Sequence, residues 1–236
     1  MNMPEVIEHP VVELRKACFE QAHEYDAGME EVDLRLNAGE LALVRIEPDV
    51  ERHPLPDVIG GVAALDRGEA LFCGISWSAR PADDHAAARG KIGRVFSDHA
   101  WVSNLDVDEN VTLAARYHLT MTSEKLAQAV DEWTRLAGLE SLPHTRPAAT
   151  DRMVLMRAQW VRAALTWPQL LLLEFPGRHL VGAWRPDLLK LVNRLRERGT
   201  AVLWLCGNDQ EWSDADLKPS LKLRTERNRL IAETIA

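Results

Sequence analysis

The stretch that decides the fold is GELALVRIEPDVERHPLPDVIGG, residues 39–61. Its first part contains a short apolar run, Leu41 to Val44, which has the length of a buried strand. A polar turn follows, and the apolar segment Leu55 to Val62 predicts a helix with Pro54 and Pro56 in its first turn, where a missing amide is tolerated. The stretch therefore predicts a strand, a loop and a helix in immediate succession.

This order of elements is that of a phosphate-binding loop. The motif of such a loop, G-x-x-x-x-G-K-[ST], holds phosphates with glycine amides and a lysine, and a magnesium ion with a hydroxyl. Counted from Gly39, the motif positions contain Ile46, Glu51, Arg52, His53 and Pro54. Only Arg52 keeps a positive charge, while Glu47 and Asp49 add negative charge that would face the phosphates. We expect the layout without its phosphate chemistry.

The composition sets limits on the class of protein. The chain has 236 residues, of which 46% are hydrophobic and 27% charged, enough for one α/β domain. Its net charge of -8 argues against sequence-independent nucleic-acid binding. We find no apolar run long enough to span a bilayer and nothing that resembles a signal peptide. The three cysteines and the histidines lack ligand spacing, so we assign no metal and no disulfide framework.

The apolar pattern predicts an α/β fold. Short β-like runs before Val44, separated by turns, indicate a small antiparallel edge at the N-terminus. The uninterrupted apolar runs Leu170 to Leu173 and Ala201 to Cys206 are typical of parallel strands covered on both faces. Helices are predicted to start near Asp106, Ser123 and Asp151. The predicted fold is therefore a mainly parallel sheet of the P-loop NTPase type, with flanking helices and a helical subdomain.

We predict a single domain, 1–236, with internal parts. Residues 11–96 and 166–212 form the α/β core, and about 97–165 form the helical subdomain. Residues 213–236 are predicted as a C-terminal helical tail.

Four short segments of the sequence occur in the order and at the spacing that the members of one protein family share. They are GELAL at 39–43, IGRVF at 92–96, NLDVDENV at 104–111 and PQLLLL at 168–173. On these phrases the chain resembles the nucleotide-binding subunit of an ABC transporter over residues 11–212. The phrases around Val95 to Val111 and Pro168 to His179 are most similar to ATPases of lipid-trafficking (MCE-type) ABC systems.

The resemblance also assigns roles to positions, and the residues at those positions differ from the family pattern. The signature motif falls on Thr150, Asp151, Arg152 and Met153, which would put a carboxylate near a partner's γ-phosphate. The pair that binds magnesium and activates water falls on Glu174 and Phe175. Glu174 retains a cation ligand, but Phe175 cannot accept a proton. The glutamine that links nucleotide to the membrane subunit falls on Ser97.

The resemblance further implies a docking segment for a membrane subunit. In the family this segment lines a groove that receives a short helix of the permease. Here the docking residues are Ser97, Asp98, His99, Trp101 and Asn104. An exposed Trp101 with a polar rim suits recognition of a helix in a groove. A surface loop with one packed tryptophan is the alternative interpretation.

These observations lead to a prediction of function. We expect a catalytically degenerate ABC-type ATP-binding subunit, a structural or regulatory component of a transporter, docked on an integral membrane permease at the cytoplasmic face of the membrane. We expect no enzyme activity, no ATP or magnesium as cofactor, and a competent ATPase or a second copy as partner. Two alternatives stay open: a weakly active ATP-binding subunit that uses Arg52 and Glu174, and a soluble interaction protein on the same scaffold.

Overall fold

The computed structural model describes residues 9–97, 100–118, 121–178 and 184–234. The strands in these ranges are β1 Val12–Phe19, β2 Met29–Leu36, β3 Leu41–Arg45, β4 Arg67–Phe72, β5 Ile75–Ser76, β6 Ile92–Val95, β7 Leu170–Glu174, β8 Ala201–Cys206, β9 Leu221–Glu226 and β10 Arg229–Glu233. The helices are α1 Leu55–Ile59, α2 Ala82–Arg89, α3 Val107–Tyr117, α4 Ser123–Leu136, α5 Arg152–Ala164, α6 Arg185–Arg196 and α7 Asp209–Trp212.

A six-stranded sheet forms the centre of the molecule, in the order β10-β9-β3-β8-β7-β6. Neighbouring strands from β9 to β6 are parallel, and only the β9/β10 pair is antiparallel. Successive side chains point to opposite faces. Leu41 and Leu43 therefore join the core under helices α3 to α6, while Ala42 and Val44 join the core on the other face, which also contains α1. The predicted mainly parallel sheet, covered on both faces, is confirmed.

The N-terminal strands form a second sheet. Its order is β2-β1-β4-β5, and all of its pairs are antiparallel. Buried residues of β1 and β2, such as Leu14 and Leu36, share one core with Val44 of β3. The antiparallel edge predicted from the sequence is thus confirmed, and together with α1 it covers the face of the central sheet opposite α3, α4, α5 and α6.

The helix predicted over Leu55 to Val62 is shorter than expected, because α1 ends at Ile59. Gly60 caps it and Gly61 follows with φ +66°, a left-handed conformation that favours glycine. A Cβ on Gly61 would lie 2.3 Å from the Trp77 ring, so this turn also needs the missing side chain. The chain therefore leaves the helix after little more than one turn.

The predicted helical tail at 213–236 is wrong in the part that the structure describes. Apart from a short 3-10 turn, Ala215–Leu217, this segment forms the hairpin of β9 and β10. Two residues in the turn, Arg227 and Asn228, have φ of +47° and +66°, the geometry of a tight hairpin turn. Leu223 of β9 is buried against the sheet, so alternate burial along β9 overrides the helix prediction.

The helices between β6 and β7 begin as the sequence indicates, with one change. The amide of Asp106 donates to Glu109 Oε2 at 2.7 Å at the start of α3, which agrees with the predicted capping box. For α4 the cap is Thr122 rather than Ser123, because Thr122 Oγ1 accepts from the Lys125 amide. None of the described helices combines the length and the apolar character needed to cross a bilayer.

Candidate functional site

A small cavity of about 110 Å³ lies where the C-terminal ends of β6 and β7 meet the loop after β3. Its walls are Tyr25, Arg52, His53, Asp57, Arg94, Phe96, Ser97 and Glu174. Ends of parallel strands at one sheet edge are a common place for ligand sites. The structure therefore brings together four residues that the sequence selected from three separate motifs, Arg52, His53, Ser97 and Glu174.

A buried cluster of charges lies at this cavity. Arg94 Nη1 donates to Asp57 Oδ1 at 2.5 Å, and Arg94 Nε donates to Glu174 Oε1. The three side chains are only 12–15% exposed. On its other oxygen, Asp57 accepts from the Tyr25 hydroxyl at 2.8 Å. A single guanidinium thus joins two carboxylates that come from α1 and from the end of β7.

Burial changes the protonation equilibria of this cluster. It raises the pKa of Glu174, and the nearby Asp57 carboxylate acts in the same direction, while Arg94 opposes the shift. For Arg94, burial lowers the pKa, but the two carboxylates outweigh burial and the net pKa is raised. Burial and the Asp57 carboxylate raise the pKa of Tyr25 to about 12, so its hydroxyl remains a donor at neutral pH.

Several backbone amides of the loop after β3 already donate hydrogen bonds to side chains of the protein. The amides of Glu51 and Arg52 both donate to Asp26 Oδ2, at 3.0 and 2.8 Å. The amide of Leu55 donates to His53 Nδ1 at 3.1 Å. The two prolines at the start of α1 have no amide to offer. These groups are therefore not arranged as the ring of free amides with which a phosphate loop binds its anion.

The predicted loop residues separate into core and surface positions. Ile46 is 1% exposed, and its amide extends β3 by donating to Cys206 O at 2.9 Å. Pro54 is buried as the N-cap residue of α1, whereas Glu47 and Asp49 are exposed. His53 is 7% exposed, and burial lowers its pKa to about 4. It is neutral at pH 7, so it adds no positive charge to the pocket.

The volume and the paired carboxylates of the cavity can be compared with what a nucleotide and its magnesium ion require. Small-molecule pockets usually have about 300 to 1,000 Å³, and the cavity of 110 Å³ is much smaller. The carboxylates of Asp57 and Glu174 are of the type that binds a divalent cation, but Arg94 already holds both. In the described conformation the site does not fit the triphosphate, so a bound nucleotide requires the pocket to open.

The signature segment forms a helix start. Asp151 is the N-cap of α5, and its Oδ1 accepts from the amides of Met153 and Val154 at 2.8 and 3.3 Å. Thr150 Oγ1 donates to Arg146 O at 3.0 Å. The side chain of Arg152 is exposed and that of Met153 is half-buried. The helix amides that attract an anion are therefore occupied by the carboxylate of the chain itself.

Phe175, directly after Glu174, is a packing residue. It is 5% exposed, has φ of +48°, and its amide donates to Leu205 O at 3.0 Å. The guanidinium of Arg178 lies 4.0 Å from its ring centroid. The ring thus packs in the core beside the central sheet, at a position where the resemblance implies a catalytic carboxylate.

The docking residues proposed from the sequence occupy different environments. Asp98 and His99 lie outside the described residues. Ser97 lines the small cavity, and Asn104 is exposed. The expectation of an exposed Trp101 is wrong: this side chain is half-buried, because the Arg162 guanidinium lies 4.6 Å from its ring.

An open groove adjoins the cavity, with a volume of about 420 Å³, between β6 and the helices α2, α3 and α5. Val62 and Tyr117 in its wall are 64% and 74% exposed, which is unusual for large apolar side chains. Arg89, His118 and Arg162 also line it. Burial lowers the pKa of Arg162 to about 10, so it stays cationic at pH 7. The groove is therefore apolar with basic groups in its walls.

Sequence reasoning missed Asp57 and Arg94, the central residues of the charged cluster. A signal existed, since each is an isolated charge inside a predicted apolar element. Buried charges are rare unless they are paired, so such positions predict a partner elsewhere in the chain. The sequence alone does not say which residue that partner is.

The fold and the site define an α/β protein of the P-loop NTPase type. No family model matches the chain. It is 26% identical over 184 residues to the sulfate/thiosulfate import ATP-binding protein CysA of Halalkalibacterium halodurans, covering 77% of this chain and 50% of that protein. The macrolide export ATP-binding/permease protein MacB of Pasteurella multocida is 23% identical over 214 residues, or 89% of this chain and 33% of that protein.

Solved structures agree with this class. The structure of an ATP-binding subunit of an ABC transporter has a TM-score of 0.81, 16% identity, and coverage of 95% of this chain and 90% of its own. The dimeric ABC transporter cassette MJ0796 has a TM-score of 0.80, 19% identity, and coverage of 93% and 96%. The predicted resemblance to ABC transporter ATP-binding subunits is thus confirmed. The chain spans about half the length of the sulfate/thiosulfate import proteins it matches.

The same comparisons contradict two predictions from the sequence. We expected no enzyme activity and no ATP or magnesium. The relatives are named ATP-binding proteins, and one structural neighbour is a post-hydrolysis state of a cassette bound to ADP and Pi, with a TM-score of 0.80 and 19% identity. Both predictions are therefore wrong: they treated altered motif residues as proof of lost activity. The similarity to MCE-type systems stays a prediction.

Proposed function

We propose that this chain is the ATP-binding subunit of an ATP-driven membrane transporter, and that it docks on an integral membrane permease from the cytoplasmic side. The observation that carries the proposal is the fold shared with ABC transporter ATP-binding subunits, together with an apolar groove next to the small cavity. In this proposal, nucleotide supplies the free energy for transport and the groove contacts the permease. A second copy of this chain or another ATP-binding subunit completes the assembly.

The groove supports the docking part of the proposal. Val62 and Tyr117 leave apolar area uncovered, and Arg89 and Arg162 place positive charge in the walls. An amphipathic helix with an apolar face and acidic flanks matches this surface in shape and in charge. We therefore propose that the permease contributes a short helix with acidic residues.

The nucleotide part rests on two side chains in the wall of the small cavity and not on its present volume. Arg52 is exposed and lines the cavity, with its guanidinium 5.9 Å from the Tyr25 ring centroid. It is the cation best placed to meet a phosphate that enters from solvent. Glu174 lies at the end of β7, and we propose it as the cation ligand. In this proposal Arg52 would bind the phosphates and Glu174 would hold the metal, and both roles require the pocket to open first.

The nucleotide proposal is tested by calorimetric titration of Mg-ATP into the full chain. We expect saturable binding by wild type and at least about tenfold weaker binding by Arg52→Ala, since hydrogen bonds to charged groups contribute about 1.5–3 kcal/mol. Arg35→Ala removes an exposed arginine of β2 and serves as the matched control. Equal binding by wild type and Arg52→Ala would exclude the proposed role of Arg52.

The docking proposal is tested by photo-crosslinking in intact cells. A photoreactive residue replaces Val62 in the groove, and the same residue replaces Arg35 as the control position. We expect crosslinking at 62 to an integral membrane protein with several spanning helices, and none at 35. Adding Tyr117→Asp to the first variant should abolish that product. If position 62 captures only water-soluble proteins, the permease proposal fails.

A further inference from the structure

Strand β10 forms one edge of the central sheet. It pairs with β9 on one side, and no described strand pairs with it on the other. β2 approaches it at the hairpin turn, where the Glu30 amide donates to Asn228 O at 2.7 Å. Edge strands carry backbone groups that can pair with a further strand from another chain. The outer edge of β10 is therefore a candidate interaction surface that the proposed function does not use.

The register of the hairpin determines which backbone groups of β10 face outward. Glu226 and Arg229 flank a two-residue turn, so these two residues exchange both backbone hydrogen bonds. Antiparallel ladders alternate between bonded and non-bonded pairs. Leu230 and Ala232 therefore belong to non-bonded pairs with β9. Their amides and carbonyls point away from β9, toward the open edge.

The exposed face of β10 carries a basic, an apolar and an acidic side chain in succession. Arg229, Ile231 and Glu233 share this face, because side chains alternate along a strand. Ile231 is 37% exposed, and both charged residues are exposed. On the opposite face, Leu230 is half-buried against the core beneath the antiparallel sheet. The strand thus offers an apolar centre between two opposite charges.

This order of side chains is self-complementary. When two β10 strands pair antiparallel about Ile231, Arg229 of each copy lies opposite Glu233 of the other. In the same register, Leu230 lies opposite Ala232 of the second copy. Both residues direct their backbone groups outward, so each of these symmetric pairs can exchange both backbone hydrogen bonds. Side-chain charge and backbone hydrogen bonding therefore select the same register.

Neighbouring charges extend the complementarity. Within one copy, Arg229 Nε is 3.2 Å from Glu30 Oε2, and Arg224 Nε is 3.1 Å from Glu233 Oε1. Pairing of two copies would join these ion pairs into one line of alternating charge. Charges on an edge strand generally deter pairing. Here that deterrent acts on other registers, because a shift by two residues puts a charge opposite Ile231.

We propose that two copies of this chain associate through β10, antiparallel and centred on Ile231, so that their central sheets form one continuous sheet. β10 does not line the small cavity or the groove, so the association requires neither nucleotide nor permease. Each copy contributes a strand of five residues, whereas stable interfaces use about 20–30 residues a side. The dimer should therefore be reversible and depend on concentration.

The first test is sedimentation equilibrium of the full chain with EDTA and without nucleotide, over a concentration series up to the solubility limit. We expect wild type to dimerise. Arg229→Glu and Glu233→Arg each place like charges opposite one another, and should weaken the dimer at least about tenfold. An equimolar mixture of the two variants should recover the dimer, because every charge then faces its opposite. This recovery also shows that both variants are folded.

Control variants separate the edge from general effects of charge. Arg35→Glu and Glu24→Arg make the same changes of net charge at exposed positions outside β10, and should leave the dimer unchanged. Ala232→Pro removes one outward amide without removing a hydrogen bond to β9, and should abolish the dimer. The proposal is overturned if wild type is a monomer at every concentration, if its dimer survives these β10 variants, or if mixing restores nothing.

A second measurement locates the contact. Amide exchange is followed by NMR at concentrations where wild type is mainly monomer and mainly dimer. Exchange at Leu230 and Ala232 should slow in proportion to the dimer fraction, about tenfold when a tenth of the chain remains monomeric. Ile231, whose amide faces β9, should change little. Slowing at Ile231 alone, or at none of the three, contradicts pairing through this edge. Because no nucleotide is present, either outcome leaves the ATP-binding proposal to its own test.

Discussion

The small charged cavity and the apolar groove lie side by side, but they differ in how far their side chains are paired and buried. In the cavity, Arg94, Asp57 and Tyr25 satisfy one another through hydrogen bonds at 2.5 and 2.8 Å. In the groove, Tyr117 and Val62 are left more than half exposed. A buried charge without a partner costs much free energy, whereas exposed apolar area costs little. Covering that area with a partner is favourable.

The difference indicates which region can bind a partner without first breaking contacts of its own. A cavity closed by its own ion pairs has to exchange internal contacts for those of a ligand, so its ligand competes with the protein. A groove with exposed apolar side chains gains contacts at once. We therefore expect substitutions to be costly for stability in the first region and almost neutral in the second.

The largest effect is expected for Arg94→Met. The variant leaves Asp57 and Glu174 buried without their cation, and loss of one partner of a buried pair typically costs about 3–5 kcal/mol. Urea unfolding at pH 7 measures the change. Arg15→Met, at an exposed ion pair, is the control and should leave the unfolding midpoint almost unchanged. A loss of less than about 1 kcal/mol would mean that the cluster behaves like a surface pair.

A smaller effect concerns His53 and pH. Its pKa is about 4 in the folded chain against an ordinary 6.5, because it is buried. Between these values the unfolded chain binds a proton that the folded chain excludes, so stability falls as pH decreases from 6.5 to 4. The loss approaches about 3 kcal/mol.

The measurement compares wild type with His53→Asn, whose side-chain oxygen can still accept from the Leu55 amide. Free energies of unfolding are determined from pH 7 to pH 4.5. We expect the difference between the two proteins to change steadily over this range, with wild type losing more. Parallel curves would show that the imidazole is hydrated in the folded state.

The smallest effect on stability is expected in the groove. Tyr117→Ala removes a side chain that is 74% exposed, so the free energy of unfolding should change by less than about 0.5 kcal/mol. The same substitution should reduce the crosslinking yield at position 62. A loss of stability above about 1 kcal/mol would mean that Tyr117 supports the fold, and the contrast between the two regions would be weaker.

Much of the fold was predictable because local patterns and global structure agree. The apolar runs Leu170 to Leu173 and Ala201 to Cys206 are β7 and β8, buried on both faces. The start of α3 at Asp106 follows from its spacing to Glu109. The tail was predicted wrongly because its hairpin depends on the free edge that β3 offers to β9, and this edge does not exist in the local sequence.

In contrast to the fold, ATP binding and activity were predicted wrongly from the sequence. From the residues of the phosphate loop and of the signature we predicted a chain without ATP, and its relatives contradict that prediction. Motif positions describe one way to hold phosphates. They do not describe what neighbouring elements contribute, such as Tyr25 and Arg94 at this cavity.

The amino-acid sequence by itself determined where β3, β7 and β8 lie along the chain, because burial on both faces requires uninterrupted apolar runs. It also determined the strand, loop and helix of residues 39–61. Only the tertiary structure decided that Arg94 meets Asp57 and Glu174, which are 37 and 80 residues away in the chain. The reason is physical: which charges meet depends on the neighbours of each strand in the sheet, and strand order is a property of the packed molecule.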